Sequence, residues 1–149
     1  MYAIFMLISA LTLITGCSMI IKEPQIDVKN VEITSATLQE VVLNVTLNVN
    51  NPNPVGITIK SVVFDVYYQQ GNDWVLIGHG EGGGYAIKPG MNEITVPVTM
   101  KSSALMGAGI GALMKGEITV QIRGTAVPDL LGLNPKIPFT HTTTIPVKL

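Results

Sequence analysis

One cysteine, Cys17, is all the chain contains, so no internal disulfide can staple it and no cysteine-built zinc site can form. Histidine is nearly as scarce. His79 and Glu81 share one face of a predicted strand, and His141 stands far along the chain. No spacing brings these three together as a metal set, and His141 falls on the inward phase of its strand, where a partly buried, hydrogen-bonded ring is expected. Charged residues make up 13% of the sequence, about half the usual share. The nine basic and ten acidic side chains give a net charge of −1 with no clustering of either sign, which removes the electrostatic basis for nucleic-acid binding. A hydrophobic content of 47% excludes an acidic disordered chain. No nucleophile stands beside a base, and Cys17 has no histidine near it, so no enzyme is expected.

Charge is missing altogether from Met1 to Ile21. The run Leu13-Ile14-Thr15-Gly16-Cys17 closes this apolar stretch and resembles the lipobox of prokaryotic lipoproteins. That resemblance implies a signal peptide over 1–16, cleavage before Cys17, lipid on its thiol and a lipidated tether over 17–25. It implies a body held at the cell membrane outside the cytoplasm. No Lys or Arg precedes the apolar run, so the basic start of an ordinary signal peptide is lacking. The competing reading is a retained single N-terminal transmembrane anchor, since about 20 apolar residues suffice to span a bilayer. A buried core helix is the third, with no polar second face to mark it.

From Ile26 to the C-terminus the dominant period is two. Val41, Leu43, Val45, Leu47 and Val49 alternate with Val42, Asn44, Thr46, Asn48 and Asn50, the signature of a half-buried strand. The rhythm recurs through Ile94, Val96, Val98 and Met100, through Ile118, Val120 and Ile122, and over 137–149. Two strands change phase midway. Ile57 and Ile59 yield to Val62, Phe64, Val66 and Tyr68, and Ile26 and Val28 yield to Val31 and Ile33. One extra residue does this, so β-bulges are expected near Lys60-Ser61 and Lys29-Asn30.

Turns punctuate at matching intervals. Asn51-Pro52-Asn53-Pro54 must end its strand, because neither proline can donate to a ladder. Gln70-Gly71-Asn72-Asp73 reads as a hairpin loop, and Lys88-Pro89-Gly90 as a type II turn. About seven strands so arranged predict one domain over 26–149, an all-β antiparallel sandwich of immunoglobulin or fibronectin-III type. One segment departs from the rhythm. Met106, Ile110, Leu113 and Met114 keep helical spacing over 102–115, with Ser102 to open and Gly116 to close, so one short α-helix is expected. Gly107, Gly109 and Gly111 weaken it by about 1 kcal/mol each relative to Ala.

The run Asn48-Val49-Asn50-Asn51-Pro52-Asn53-Pro54-Val55-Gly56-Ile57 resembles the type-2 late-embryogenesis-abundant family, also called the water-stress and hypersensitive-response domain. Further matches follow in order: the 80–84 segment, Pro89-Gly90, the 94–100 strand, Ser102-Ser103, Gly124, Ile137-Pro138-Phe139 and Thr144-Ile145-Pro146-Val147. The chain departs from the family in its glycine-rich helix and in Gly82, Gly83 and Gly84. The resemblance implies the same sandwich with one helix, and desiccation or stress protection by weak chaperone-like or membrane-stabilising contacts. It brings no catalytic residue and no cofactor. Asn50, Asn51, Pro52, Asn53 and Pro54 carry over as a structural signature, in which amides satisfy turn backbone groups and prolines fix φ.

Other patterns fall away. Gly78-His79-Gly80-Glu81-Gly82-Gly83 fits G-x-G-x-x-G, but a dinucleotide site needs a helix opening there, and strand and turn follow instead. Asn44-Val45-Thr46 is a glycosylation pattern in mid-strand. Trp74, Tyr67 and Tyr68 read as sheet packing before they read as a contact patch. The expected partners are membrane lipid through the N-terminus and envelope proteins as clients, with no nucleic acid or small-molecule substrate. A structural or adhesion module assembling through its sheet edges is the alternative.

Overall fold

Alternation at Val41, Leu43, Val45, Leu47 and Val49 resolves into β2 (Glu40–Asn51), in which these five side chains are all buried. A computed structural model of the chain describes residues 20–103 and 115–146. Among them are eight strands: β1 (Gln25–Ala36), β2, β3 (Ile57–Gln70), β4 (Asp73–Gly82), β5 (Tyr85–Ile87), β6 (Gly90–Lys101), β7 (Glu117–Asp129) and β8 (Ile137–Pro146). One sheet has the order β1-β2-β6 and the other β4-β3-β7-β8, with β5 also paired to β3. Every pairing is antiparallel. The sheets face each other with β4 beside β6 and β1 beside β8, so each strand's apolar phase enters one shared core. This is the immunoglobulin-like sandwich that the alternation implies.

Bulges fall where the sequence changes phase. The β1–β2 register slips between Val28 and Asn30, and the β3–β7 register slips between Ile59 and Ser61. Each slip keeps both halves of its strand facing inward: Val28 and Val31 are buried, as are Ile59 and Val62. A one-residue slip without a bulge would turn half of the strand's apolar set to water. A second slip in β1 falls between Ile33 and Ser35, after which Ser35 and Ala36 still pair with Val42 and Val41.

The strand beyond the expected seven is β5. It continues the line of β4 along the same edge of β3, with Ile57 opposite Ile87 and Val62 opposite Gly82. Between them lies Gly83, where an added Cβ would come within 2.3 Å of the Lys60 carbonyl oxygen. The bulged residue and the glycine pass each other because neither side chain lies between them.

Gly80 and Gly124 flank Phe64 in register, one on each neighbouring strand. A Cβ on Gly80 would lie 2.3 Å from the Phe64 ring, and one on Gly124 would lie 2.5 Å from Phe64 Cβ and 2.6 Å from both Phe139 and the Val63 carbonyl oxygen. The ring fills what the two glycines leave open and packs tilted on Phe139, centroids 6.3 Å apart.

Gly90 has φ of 89°, as the third residue of a type II turn requires, and this turn carries the chain from one sheet to the other. Asn92 braces it, accepting from the Lys88 N–H at 3.0 Å and donating to the Lys88 and Gly90 carbonyls at 2.7 and 3.0 Å. Of the expected helix, Ser102, Ser103 and Lys115 have helical backbone and Gly116 has φ of 70°, the left-handed C′ conformation. The rest of that helix lies outside the described residues. Ser102 ties its start to the β1–β2 turn, donating from Oγ to the Thr37 carbonyl at 2.8 Å.

Candidate functional site

The Asn-Pro-Asn-Pro turn joins the end of β2 to the start of β3 and carries Asn51 and Asn53, the two buried polar side chains of the described core, 1% and 4% exposed. Pro52 and Pro54 are exposed, and Asn50 is half-buried opposite Gln25. Asn51 Oδ1 accepts from the Asn53 N–H at 3.1 Å and from Asn53 Nδ2 at 2.9 Å, and Asn51 Nδ2 donates to the Val55 carbonyl at 2.9 Å. Asn53 reaches outward as well. Its Oδ1 accepts from the Lys22 N–H and its Nδ2 donates to the Lys22 carbonyl, both at 2.7 Å. A side-chain amide here makes the two-bond exchange that one residue of an antiparallel pair makes with its partner. No buried side-chain nitrogen or oxygen among the described residues is left without a partner.

This is a latch on the N-terminal segment. Lys22 is held three residues before β1 begins, Pro24 is buried, and Ile21 packs against the core. The chain is therefore fixed to the sandwich from Ile21 onward. Cys17 lies outside the described residues, as does the expected signal peptide over 1–16. No helix among the described residues is long and apolar enough to cross a membrane.

The other sequence-marked residues do not converge. His79 Nδ1 lies 2.8 Å from Asp65 Oδ1 in a cross-strand pair on β4 and β3. His141 pairs with Ile122 on β8, the opposite edge of that sheet. No group of three or more metal-ligating side chains occurs among the described residues. The Gly78–Gly83 pattern runs along β4 and ends one residue past it, without the helix that would present backbone N–H groups to a phosphate. Tyr68 is buried, while Tyr67 and Trp74 are half-buried; Arg123 lies over the Tyr67 ring, 4.4 Å from its centroid.

The outward faces of both sheets carry neutral hydrogen-bonding groups. Thr46 and Thr95 meet across β2 and β6 at 3.2 Å, Thr119 and Thr144 across β7 and β8 at 3.0 Å, and Gln121 donates to Thr142 at 2.9 Å. Charged groups share this surface: Lys29 pairs with Glu93, His79 with Asp65, Arg123 bonds Gln121, and Asp27, Glu32, Lys60 and Glu81 are exposed on their strands.

A two-layer immunoglobulin-like domain, latched to its N-terminal segment by buried asparagines and covered with hydroxyls and amides, defines the class of protein. The chain matches the late embryogenesis abundant protein family over residues 46–143 and belongs to it. An uncharacterized protein of Methanocaldococcus jannaschii, MJ1138, is 29% identical over 136 residues, covering 91% of this chain and 78% of that one. The solution structure of AT1g01470 from Arabidopsis thaliana superposes with a TM-score of 0.71 at 19% identity, covering 86% of this chain and 84% of that one. A crystal structure of an Archaeoglobus fulgidus protein gives a TM-score of 0.57 at 11% identity, covering 87% and 99%. At such identities the two structures speak for the fold.

Sequence reading missed the partner of Asn53. Lys22 is 31 residues away, and its contribution comes from the backbone, which leaves no residue-type signal to find.

Proposed function

We propose that this protein is a lipid-anchored stress-protection module, attached through Cys17 outside the cytoplasm and acting without catalysis on envelope proteins or lipid as water is withdrawn. The observation that carries this reading is the set of neutral cross-strand pairs on the outer faces, Thr46 with Thr95, Thr119 with Thr144 and Gln121 with Thr142. Such groups offer hydrogen bonds of either polarity, each worth about 0.5–1.5 kcal/mol net in water. Single contacts are weak and unselective, and they gain weight as competing water is removed. Membership of the late embryogenesis abundant family supports the stress role. The test is drying and rehydrating a client enzyme with the purified protein or with an equal mass of an unrelated β-sandwich. The proposal expects higher recovered activity with this protein; equal recovery contradicts it.

The edge-assembly alternative finds less support. Edge strand β6 contains Pro97, and edge strand β8 contains Pro138 and Pro146; each removes a donor from a ladder another chain would need. A monomer in sedimentation is expected.

A further inference from the structure

We infer that the end of the sandwich from which the N-terminal segment leaves docks on the lipid bilayer and inserts its loop tips there. The strand register puts one set of connections together at that end. Gln25 at the start of β1 faces Asn50 near the end of β2, and Asn51 faces Gly90 at the start of β6. In the other sheet Ile57 faces Ile87, Thr58 faces Asp129 and Ala126 faces Ile137. The 52–56 turn, the 88–89 turn and the 130–136 loop therefore share this end with Ile20 and the latched Lys22.

Exposed large hydrophobic residues gather on those tips. Ile20, Val55, Met91, Leu131 and Leu133 all lie there, whereas Leu38 and Leu76 lie toward the opposite end and Val63 in the middle of β3. Scattered exposed apolar residues are ordinary, but a cluster at one pole marks an interaction surface.

The 130–136 loop makes the case sharper. Leu130 and Leu133 exchange backbone hydrogen bonds at 2.8 and 3.2 Å, and Asp129 Oδ1 accepts from the Gly132 N–H at 2.9 Å. The two central residues, Leu131 and Gly132, have φ of 54° and 90°. A type I′ turn of this kind favours Asn or Gly at its first central position. Leucine sits there instead, the one non-glycine residue with positive φ among those described. It is 80% exposed, and Leu133 is 72% exposed. A strained backbone holds a leucine in water where asparagine would fit better, so the leucine's benefit must come from a partner.

That partner is lipid because of what enters at this end. The uncharged run of Met1 to Ile21 arrives here, and Lys22 is fixed to the body by Asn53. If Cys17 is the lipid attachment point, as the proposed function holds, five residues reach Lys22, about 17 Å when fully extended. The loop tips then cannot stand clear of the headgroups. Lys22, Lys88 and Lys136 border the tips, with Glu23 and Asp129 as the neighbouring carboxylates. Lysine stems can lie along apolar surface while their ammonium groups meet lipid phosphate.

The experiment uses the full chain in phosphatidylcholine–phosphatidylglycerol vesicles with brominated acyl chains, comparing Leu133→Trp with Leu38→Trp at the opposite end. Trp74, also at that opposite end, gives the parent baseline. Docking predicts that the added emission of Leu133→Trp is blue-shifted and quenched by the bromolipid, and that of Leu38→Trp is neither. Adding Leu131→Asn should reduce the quenching without lowering the denaturation midpoint, because asparagine suits the turn. A protein that floats with the vesicles while Leu133→Trp stays unquenched overturns the docking and leaves the anchor standing. Shielding of Leu133→Trp from iodide without lipid points to a protein occupant and overturns it too. A chain that does not float overturns the anchor, and the docking with it.

Discussion

Asn53 uses both of its side-chain donors and one acceptor site: Oδ1 accepts from the Lys22 N–H, and Nδ2 donates to the Lys22 carbonyl and Asn51 Oδ1. Truncation leaves buried groups unpaired, which costs about 1–3 kcal/mol for each such group. Asn53→Ala should therefore lower the denaturation midpoint and release the Lys22 amide to fast hydrogen exchange. Unchanged protection at Lys22 would contradict the latch. Gly124 offers a steric counterpart, since one of the atoms its Cβ would meet is the Val63 carbonyl oxygen, which cannot rotate away. Gly124→Ala should destabilise by about 1–3 kcal/mol, and Phe64→Leu should relieve part of that in a double-mutant cycle. Strict additivity would contradict the packing account. At this scale the sequence was half legible. The prolines announced a turn at Asn51–Pro54, but a glycine opposite a phenylalanine is visible only once strands are in register, and so is a backbone partner 31 residues away.

Elements were the most readable level, because burial writes itself into every second residue. The phase changes at Lys29 and Lys60 could be read from the apolar residues alone, and the register slips occur there. Deleting Lys60 removes the bulge and shifts Ile57 and Ile59 to the solvent phase. Circular dichroism and proteolysis of that variant should report an unfolded or aggregated chain, whereas a native-like spectrum and midpoint would show that the bulge sets nothing. The short strand β5 was not legible: three residues are too few to show alternation, and its place depends on the gap beside Lys60. Edge strand β6 yields another expectation. Pro97 sits within an unbroken ladder opposite Asn44, so its nitrogen points away from β2. Pro97→Thr restores a donor on the open edge, and sedimentation should show more self-association with little change in stability. A strictly monomeric variant would remove the proline's role as an edge block.

Across the whole molecule, two polarities are superimposed. Between faces, apolar side chains turn inward and neutral polar ones outward, which the sequence made plain through its period of two. Between ends, apolar loop tips collect where the N-terminal segment leaves, and this was hidden, because Val55, Met91, Leu131 and Leu133 belong to three connections that only the sheet topology unites. Both polarities gain functional sense if the body is held at a membrane by its front end. Intact mass of the protein extracted from the membranes that produce it tests this attachment most directly. The account predicts a chain that begins at Cys17 and carries the added mass of lipid. A chain that begins at Met1 without modification would contradict it.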